Sequence, residues 1–361
     1  MTQLKLSLCL IVKDEESVLA RCLDSVRAIA DEIIIVDTGS TDGTKQIAKR
    51  YTDHVISYTW QDNFSAARNF AFSKATGDYL MWLDADDYLP PSSAAQLLKL
   101  KDELEANPAD VVMCPYDTAL DANGKPTYSY MRERILKRET EFRFEGRVHE
   151  CIAPHGKIID ADVHIQHLGS KKIRGARNLR IYQRQISEEV TLSPRDMFYY
   201  GRELYYNRLY AEAIAVLEEF LQSNGWYVNK IEACKVCANC YLAKGSKEKA
   251  YSTLFQSFRY GEPRAGVLCE IAKLYQSEQR LREAIFWYES AIRCRSHLSE
   301  GDFEDKYDRS LTPILELVYC CYHSGDVARA VEWHKKSEEC EQSHPSVVYN
   351  RKFFTTQGLL Q

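Results

Sequence analysis

The chain has 361 residues, 45% of them hydrophobic, and a formal net charge of −5. That length exceeds one ordinary core and suits two domains, and the apolar content excludes a disordered chain. The weak acidic balance excludes a global attraction to nucleic acid or to an anionic membrane, and no run of eighteen apolar residues marks a membrane span.

Lys13, Asp14, Glu15 and Glu16 cut the opening apolar stretch too short for a secretory leader, so a cytoplasmic protein is expected. The 12 cysteines are scattered through apolar helical patterns. A disulfide framework belongs to small, loop-rich domains, so these read as reduced, buried thiols.

Up to about residue 167, short apolar runs alternate with helix-like stretches. Leu6–Val12 reads as a strand and Ser17–Ala28 as an amphipathic helix. Glu32–Val36 is the next apolar run, Thr41–Arg50 has helical character, and His54–Tyr58, helical Phe64–Ala75 and Tyr79–Leu83 continue the pattern. Such alternation implies crossover units and a mainly parallel sheet with helices on both faces. Beyond Leu83, Val111–Tyr116 and Thr127–Leu136 are expected strands about a turn at Asp121–Pro126, where Asn123-Gly124 favours positive φ. Phe142–Cys151 and Lys157–His164 are further strand-like pieces, so a parallel half gives way to a more antiparallel one. Lys171–Ser193, basic at first and then amphipathic, is expected to be a helical linker between domains 1–170 and 194–361.

From Pro194 the chain is helical and repetitive. With Ala213, Ala250, Ala284 and Ala330 placed in register, Gly201, Ala238, Ala272 and Val318 stand twelve residues earlier. Leu204, Tyr241, Tyr275 and Cys321 stand nine earlier, and Gly245 and Gly325 share one turn offset. The spacings are 37, 34 and 46, the last enlarged by a polar insertion around Ser296–Arg309. This resembles tetratricopeptide repeats, of period about 34 residues, whose helix pairs stack because one pair cannot bury its apolar face alone. Cys234-x-x-Cys237-x-x-Cys240 has spacing reminiscent of an iron–sulfur run, but a fourth cysteine and the usual proline are missing. At those intervals the three thiols share one helix face, and packing is the reading.

The most specific chemistry lies in Tyr79-Leu-Met-Trp-Leu-Asp84-Ala85-Asp86-Asp87, where an apolar strand runs into three carboxylates. A hard divalent cation, Mg²⁺ or Mn²⁺, removes the repulsion of such a cluster and prefers carboxylate and phosphate oxygens. The plain alternative is a solvated loop before the helix that follows Pro90-Pro91-Ser92. Ile33-Ile-Ile-Val36-Asp37-Thr-Gly-Ser-Thr-Asp42-Gly-Thr44 places a carboxylate at a strand end before a glycine-containing turn, where it can accept hydrogen bonds from a ribose or a base. The dinucleotide Gly-x-Gly-x-x-Gly spacing is absent, and a strand-to-helix turn capped by Asp42 or Thr41 is the alternative.

Four motifs in order carry a family resemblance: Cys9-Leu-Ile-Val12-Lys13-Asp14-Glu15-Glu16, Val36-Asp37-Thr-Gly-Ser-Thr-Asp42-Gly-Thr44, Trp60-Gln61-Asp62-Asn63-Phe64-Ser65-Ala66-Ala67-Arg68-Asn69, and Ala75-Thr-Gly77-Asp78 through Asp84-Ala-Asp86-Asp87. Over residues 5–170 the chain resembles family 2 glycosyltransferases with the GT-A fold. The resemblance implies an α/β fold, a nucleotide-sugar-binding domain with a mixed, mainly parallel sheet, followed here by the all-α repeats. It implies a metal-dependent, inverting transfer of a sugar from a nucleotide diphosphate donor such as UDP-glucose. By resemblance, Val12, Glu15, Asp37, Asp62, Arg68, Asp84 and Ala85 border the nucleotide sugar, and Asp84 and Asp86 form the Asp-x-Asp pair that holds Mn²⁺ or Mg²⁺. His167 is similar to the histidine that completes the metal shell. Phe144-Glu145-Gly146-Arg147-Val148-His149-Glu150 resembles the acidic motif after that pair, with Glu150 at the base position, where many relatives carry Asp, and His149 the rival base.

The combination of Asn63-Phe-Ser-Ala-Ala-Arg68-Asn69, Arg147-Val-His149-Glu150 and a helical-repeat tail resembles bacteriocin S-glycosyltransferases. A peptide or protein acceptor at Cys, Ser or Thr is therefore expected, with a cell-surface glycan as the alternative. The repeats also offer a surface for homodimerisation. A repeat scaffold with an inactive transferase domain, or a nucleotidyltransferase, are readings from other classes. The intact Asp84/Asp86 pair counts against the first, and the acidic, glycine-free Lys13–Glu16 turn against the second.

Overall fold

The computed structural model describes residues 4–120, 124–169, 176–296 and 305–360, in two compact units divided between Thr191 and Leu192. The strands of the first unit are β1 (Leu6–Val12), β2 (Glu32–Asp37), β3 (Val55–Ser57), β4 (Tyr79–Trp82), β5 (Asp87–Tyr88), β6 (Val111–Leu120), β7 (Pro126–Lys137), β8 (Ile158–Asp160) and β9 (Ile165–His167). Its helices are α1 (Leu19–Val26), α2 (Thr44–Ala48), α3 (Phe64–Phe72), α4 (Pro91–Ala106) and α5 (Arg177–Ser187). One sheet orders the strands β3-β2-β1-β4-β7-β6-β9-β5, with β8 also paired to β6. β1 runs parallel to β2 and β4, and β2 to β3, while β7 lies antiparallel between β4 and β6. The sheet is mixed, parallel in its first half.

Successive side chains of a strand point to opposite faces, and this alternation divides the core. Leu6, Leu8 and Leu10 with Ile33 and Ile35 pack against Leu19 and Leu23 of α1 and Leu97 and Leu100 of α4. Cys9, Ile34 and Val36 turn the other way, onto Ala71 and Phe72 of α3 and onto Phe142 and Phe144. Strands covered on both faces read as unbroken apolar runs, which explains the grammar of β1 and β2.

Two strand expectations change. Phe142–Cys151 is a loop with one isolated bridge between Glu145 and Cys151. Its alternating apolar residues Phe142, Phe144, Val148 and Ile152 are buried, but Gly146 and His149 take φ of 88° and 52°, which breaks the extended run. Lys157–His164 yields only β8, and the strand that follows, β9, ends on His167. Of the turn expected at Asp121–Pro126, Gly124 has φ 76° and residues 121–123 lie outside the described residues, as do 171–175 of the expected linker. Within the rest of that linker, α5 buries Leu179, Ile181 and Tyr182 in the first unit.

The second unit pairs α6 (Pro194–Tyr206) with α7 (Tyr210–Gln222), α8 (Tyr227–Ala243) with α9 (Lys247–Gln256), α10 (Ala265–Ser277) with α11 (Leu281–Arg293), and α12 (Leu311–His323) with α13 (Val327–Glu341), followed by α14 (Pro345–Thr356). Ser193 and Asp196 form a reciprocal capping box around Pro194, which starts the array. The registered alanines 213, 250, 284 and 330 are all fully buried. Glycine at 201 is a packing requirement, since a Cβ there would lie 2.5 Å from Leu217 Cδ2. Cys234, Cys237 and Cys240 are free and buried within α8. Among the described residues no helix is long and apolar enough to cross a membrane.

Candidate active site

The carboxyl ends of β1, β2 and β4 lie side by side, with Val12 opposite Asp37 and Cys9 opposite Trp82. Ligands of open α/β sheets bind beyond such ends. Val12 is buried, and its carbonyl accepts from the Thr38 N–H at 2.9 Å, which joins the two strand ends. Burial alone would raise the pKa of Asp37, but donors from Ser40, Gly39 and Lys45 hold it below the usual carboxylate range. Lys45 Nζ stands 3.2 Å from Asp37 Oδ2. The Glu15 N–H donates to Thr44 Oγ1 at 2.7 Å, which ties the loop after β1 to the start of α2.

β4 delivers the acidic run. Ala85 turns into the core, and Asp87 is fully buried. Asp87 Oδ2 accepts from the Asp84 N–H at 2.9 Å and from Arg134 Nη1 at 3.2 Å, while Oδ1 accepts from the Tyr116 hydroxyl at 2.9 Å. The antiparallel register of β5 and β9 sets Asp87 opposite His167. His167 Nδ1 then lies 3.3 Å from Asp87 Oδ1 and 3.5 Å from Asp86 Oδ1. Asp86, Asp87 and His167 each offer one ligand atom, all within 4.8 Å of one another. Two carboxylates and an imidazole fit Mn²⁺ or Mg²⁺ in donor type. The electrostatics point the same way. Burial first, then the like charges of Asp84 and Asp87, push Asp86 up against the pull of His167. His167 is raised chiefly by its hydrogen bond with Asp87. A cation among them would relieve both carboxylates.

Asp84 faces elsewhere. Its Oδ1 takes Arg68 Nη2 at 2.6 Å, while Arg68 Nε holds Glu150 Oε1, also at 2.6 Å. Burial opposes the ionisation of Asp84, but Arg68 and Arg134 bring its pKa to about 2. Arg68 is itself only 8% exposed, with its guanidinium carbon 4.7 Å from the Trp82 ring and 5.3 Å from the Phe144 ring. One aromatic-braced cation thus fixes Glu150 relative to Asp84. The motif around it has a structural logic. Asn63 caps α3 by accepting from the Ala66 N–H, and Asn69 brackets Phe144 by donating to its carbonyl at 3.0 Å and accepting from its N–H at 2.8 Å. The Arg147 carbonyl accepts from the Phe64 N–H. His149 sits between Val148 and Glu150 with φ 52°.

Of the residues expected from sequence, the structure gathers Asp86 with His167, and Arg68 with Asp84 and Glu150. Val12 and Asp37 stand together on the adjoining strand ends. Asp62 is not drawn into either group: its carboxylate accepts from Trp60 Nε1 at 2.8 Å and pairs with Arg184 of α5 at 2.7 Å. Asp87 belongs to the acidic run but carries no separate role in the sequence, and Tyr116 and Arg134 join it only in the fold. Arg132-Glu133-Arg134 was the available signal, because three consecutive charged residues interrupt a strand that ends Ile135-Leu136.

Residues 7–168 match the sequence profile of the family described as Glycosyl transferase family 2. A TPR repeat-containing protein of Synechococcus elongatus is 29% identical over 299 residues, covering 80% of this chain and 66% of that protein. The prophage-derived glycosyltransferase SunS of Bacillus subtilis is 29% identical over 228 residues, covering 59% of this chain and 52% of SunS. The chain thus spans between half and two thirds of the length of these relatives. Among solved structures, S. aureus TarS 1–349 in complex with UDP aligns over 72% of this chain and 92% of that one, at 15% identity and a TM-score of 0.37.

Proposed function

We propose that residues 7–168, which match the Glycosyl transferase family 2 profile, form a domain that transfers a sugar, with inversion, from a UDP-sugar such as UDP-glucose to a polypeptide side chain. The observation that carries the donor half is the clustering of Asp86, Asp87 and His167 beyond the sheet's carboxyl edge, beside the strand ends that bear Val12 and Asp37. Asp37 accepts from the uridine moiety, with Glu15 bordering it. Asp86 and His167 would hold Mn²⁺ or Mg²⁺, with the buried Asp87 orienting them. When bound, such an ion stabilises the negative charge of a departing diphosphate. Glu150, fixed by Arg68, accepts the proton of the acceptor nucleophile, with His149 beside it as the alternative acceptor of that proton.

The polypeptide acceptor is supported by the resemblance of the motifs and repeats to bacteriocin S-glycosyltransferases, and by the elongated surface that stacked helix pairs provide. The test is UDP release from UDP-sugars with Mn²⁺, in the absence and presence of peptide. The wild-type chain is expected to release UDP only with a divalent ion, and Asp86→Ala to lower the rate by about 100-fold or more. Undiminished metal-dependent turnover in Asp86→Ala would refute the site.

A further inference from the structure

Arg134 is the most deeply buried cation among the described residues of the first unit, with no exposed side-chain surface. It sits at an irregularity of the sheet. β6 and β7 pair Val112 with Ile135 and then Met113 with Glu133, so residue 134 has no partner on β6. A bulge of this kind adds an unpaired residue and re-aims its side chain, and bulges recur beside active sites. Here the re-aimed side chain passes beneath the acidic run. Its guanidinium carbon lies 3.8 Å from the Trp82 ring centre and 4.2 Å from that of Tyr116. Nη1 donates to the Trp82 carbonyl at 3.1 Å and to Asp87 Oδ2 at 3.2 Å. Nε and Nη2 have no hydrogen-bond partner among the described residues.

A buried ion pair of this sort is poor evidence for stability, since well-packed apolar residues commonly replace one without loss. Its partner gives the reason for its presence. Asp87 is the hub of the site: besides Arg134 it takes the Asp84 N–H at 2.9 Å and the Tyr116 hydroxyl at 2.9 Å, and it stands 3.3 Å from His167 Nδ1. Tyr116 closes the circuit, with its hydroxyl 3.0 Å from the same His167 nitrogen.

We propose that Arg134 is a positioning residue of the transfer site: braced between Trp82 and Tyr116, it fixes Asp87 and thereby sets both the Asp84 turn and the His167 ring for the divalent ion. The inference rests on the metal-binding reading of Asp86 and His167. Partners that orient metal ligands typically change ion affinity by 10- to 100-fold when removed.

The test is Mn²⁺ titration of the full chain by electron paramagnetic resonance, with thermal unfolding measured on the same samples. Arg134→Met is expected to unfold cooperatively yet bind Mn²⁺ about tenfold or more weakly, with Arg134→Lys recovering part of the loss. Tyr116→Phe keeps the ring and removes only the hydroxyl; it is expected to weaken Mn²⁺ binding several-fold, and it carries the test should Arg134→Met fail to fold. Unaltered Mn²⁺ affinity in a folded Arg134→Met, or in Tyr116→Phe where that variant stands alone, overturns the proposal. A wild-type chain that binds no Mn²⁺ overturns the underlying metal reading, and this inference with it.

Discussion

Glu150 has two duties in this site that one substitution separates. Its carboxylate is one of the two that pair with the buried Arg68 and is the proposed proton acceptor. Glu150→Gln keeps the shape and a hydrogen-bonding oxygen toward Arg68 but removes the negative charge. Asp84 still pairs with Arg68, so UDP binding is expected to survive while transfer falls by about 10²- to 10⁴-fold, the usual worth of a general base. Isothermal titration with UDP, set beside the transfer rate, checks this. Loss of UDP affinity in step with the rate would assign Glu150 to the architecture of the site. Asp86 shows the opposite balance. Its carboxylate is raised by burial and by like charges, so in the metal-free fold its ionised form is destabilising above the unfolded carboxylate range. Asp86→Ala, besides losing turnover, is therefore expected to melt no lower than wild type at pH 7 without metal. Any gain should fade as the pH falls through the raised folded pKa toward the unfolded value of about 4, and be absent below it, where both states are protonated.

Each helix pair turns through one residue in the left-handed region, five positions before the registered alanine. These are Arg208, Gly245, Gln279 and Gly325, with φ of 61°, 75°, 59° and 89°. Only two are glycine, so the sequence showed two of the four turns. A Cβ at Gly245 or Gly325 would meet nothing within 4 Å, which leaves backbone strain as the sole cost of a side chain. Gly245→Ala is expected to destabilise the chain by about 1 kcal/mol, and Gln279→Gly to stabilise it by about 0.5–1 kcal/mol. Denaturant melts check both signs; a destabilising Gln279→Gly would show that the side chain contributes more than the strain costs. The same reasoning explains what was legible elsewhere. β1, β2 and β4 announced themselves because burial on both faces demands unbroken apolar runs. β5 and β9, at two and three residues, carry no period to detect. Their pairing nonetheless brings His167 to Asp87, and so assembles the proposed metal group. Phe142–Cys151 misled for the converse reason: apolar alternation reports burial, and a loop lying on the core satisfies it as well as a strand does.

At the scale of the whole molecule, where the proposed transfer domain ends is a question of which contacts support the Glu150 loop. Residues 1–170 contain every residue assigned to the proposed transfer reaction, yet the first compact unit runs to Thr191. The difference is α5. Its Tyr182 hydroxyl donates to the Val148 carbonyl, Arg184 pairs with Asp62, and Glu188 just beyond it pairs with Arg147. The surface ion pairs contribute little individually, but Leu179, Ile181 and Tyr182 are buried and hold the helix down beside residues 147–150. Chains ending at 191 and at 170 are therefore expected to differ. The longer should fold cooperatively and release UDP from a UDP-sugar at a rate within a few-fold of the full chain. The shorter should lose the ordered 147–150 loop and at least about 2 kcal/mol of stability, the transfer energy of one large side chain left uncovered. Acceptor use separates the repeats from both: with residues 192–361 absent, peptide modification is expected to fall while donor turnover persists. Should the chain ending at 191 modify peptide as fast as the full chain, the helical pairs take no part in acceptor capture. Their role would then be sought in self-association, by comparing the solution mass of the two forms.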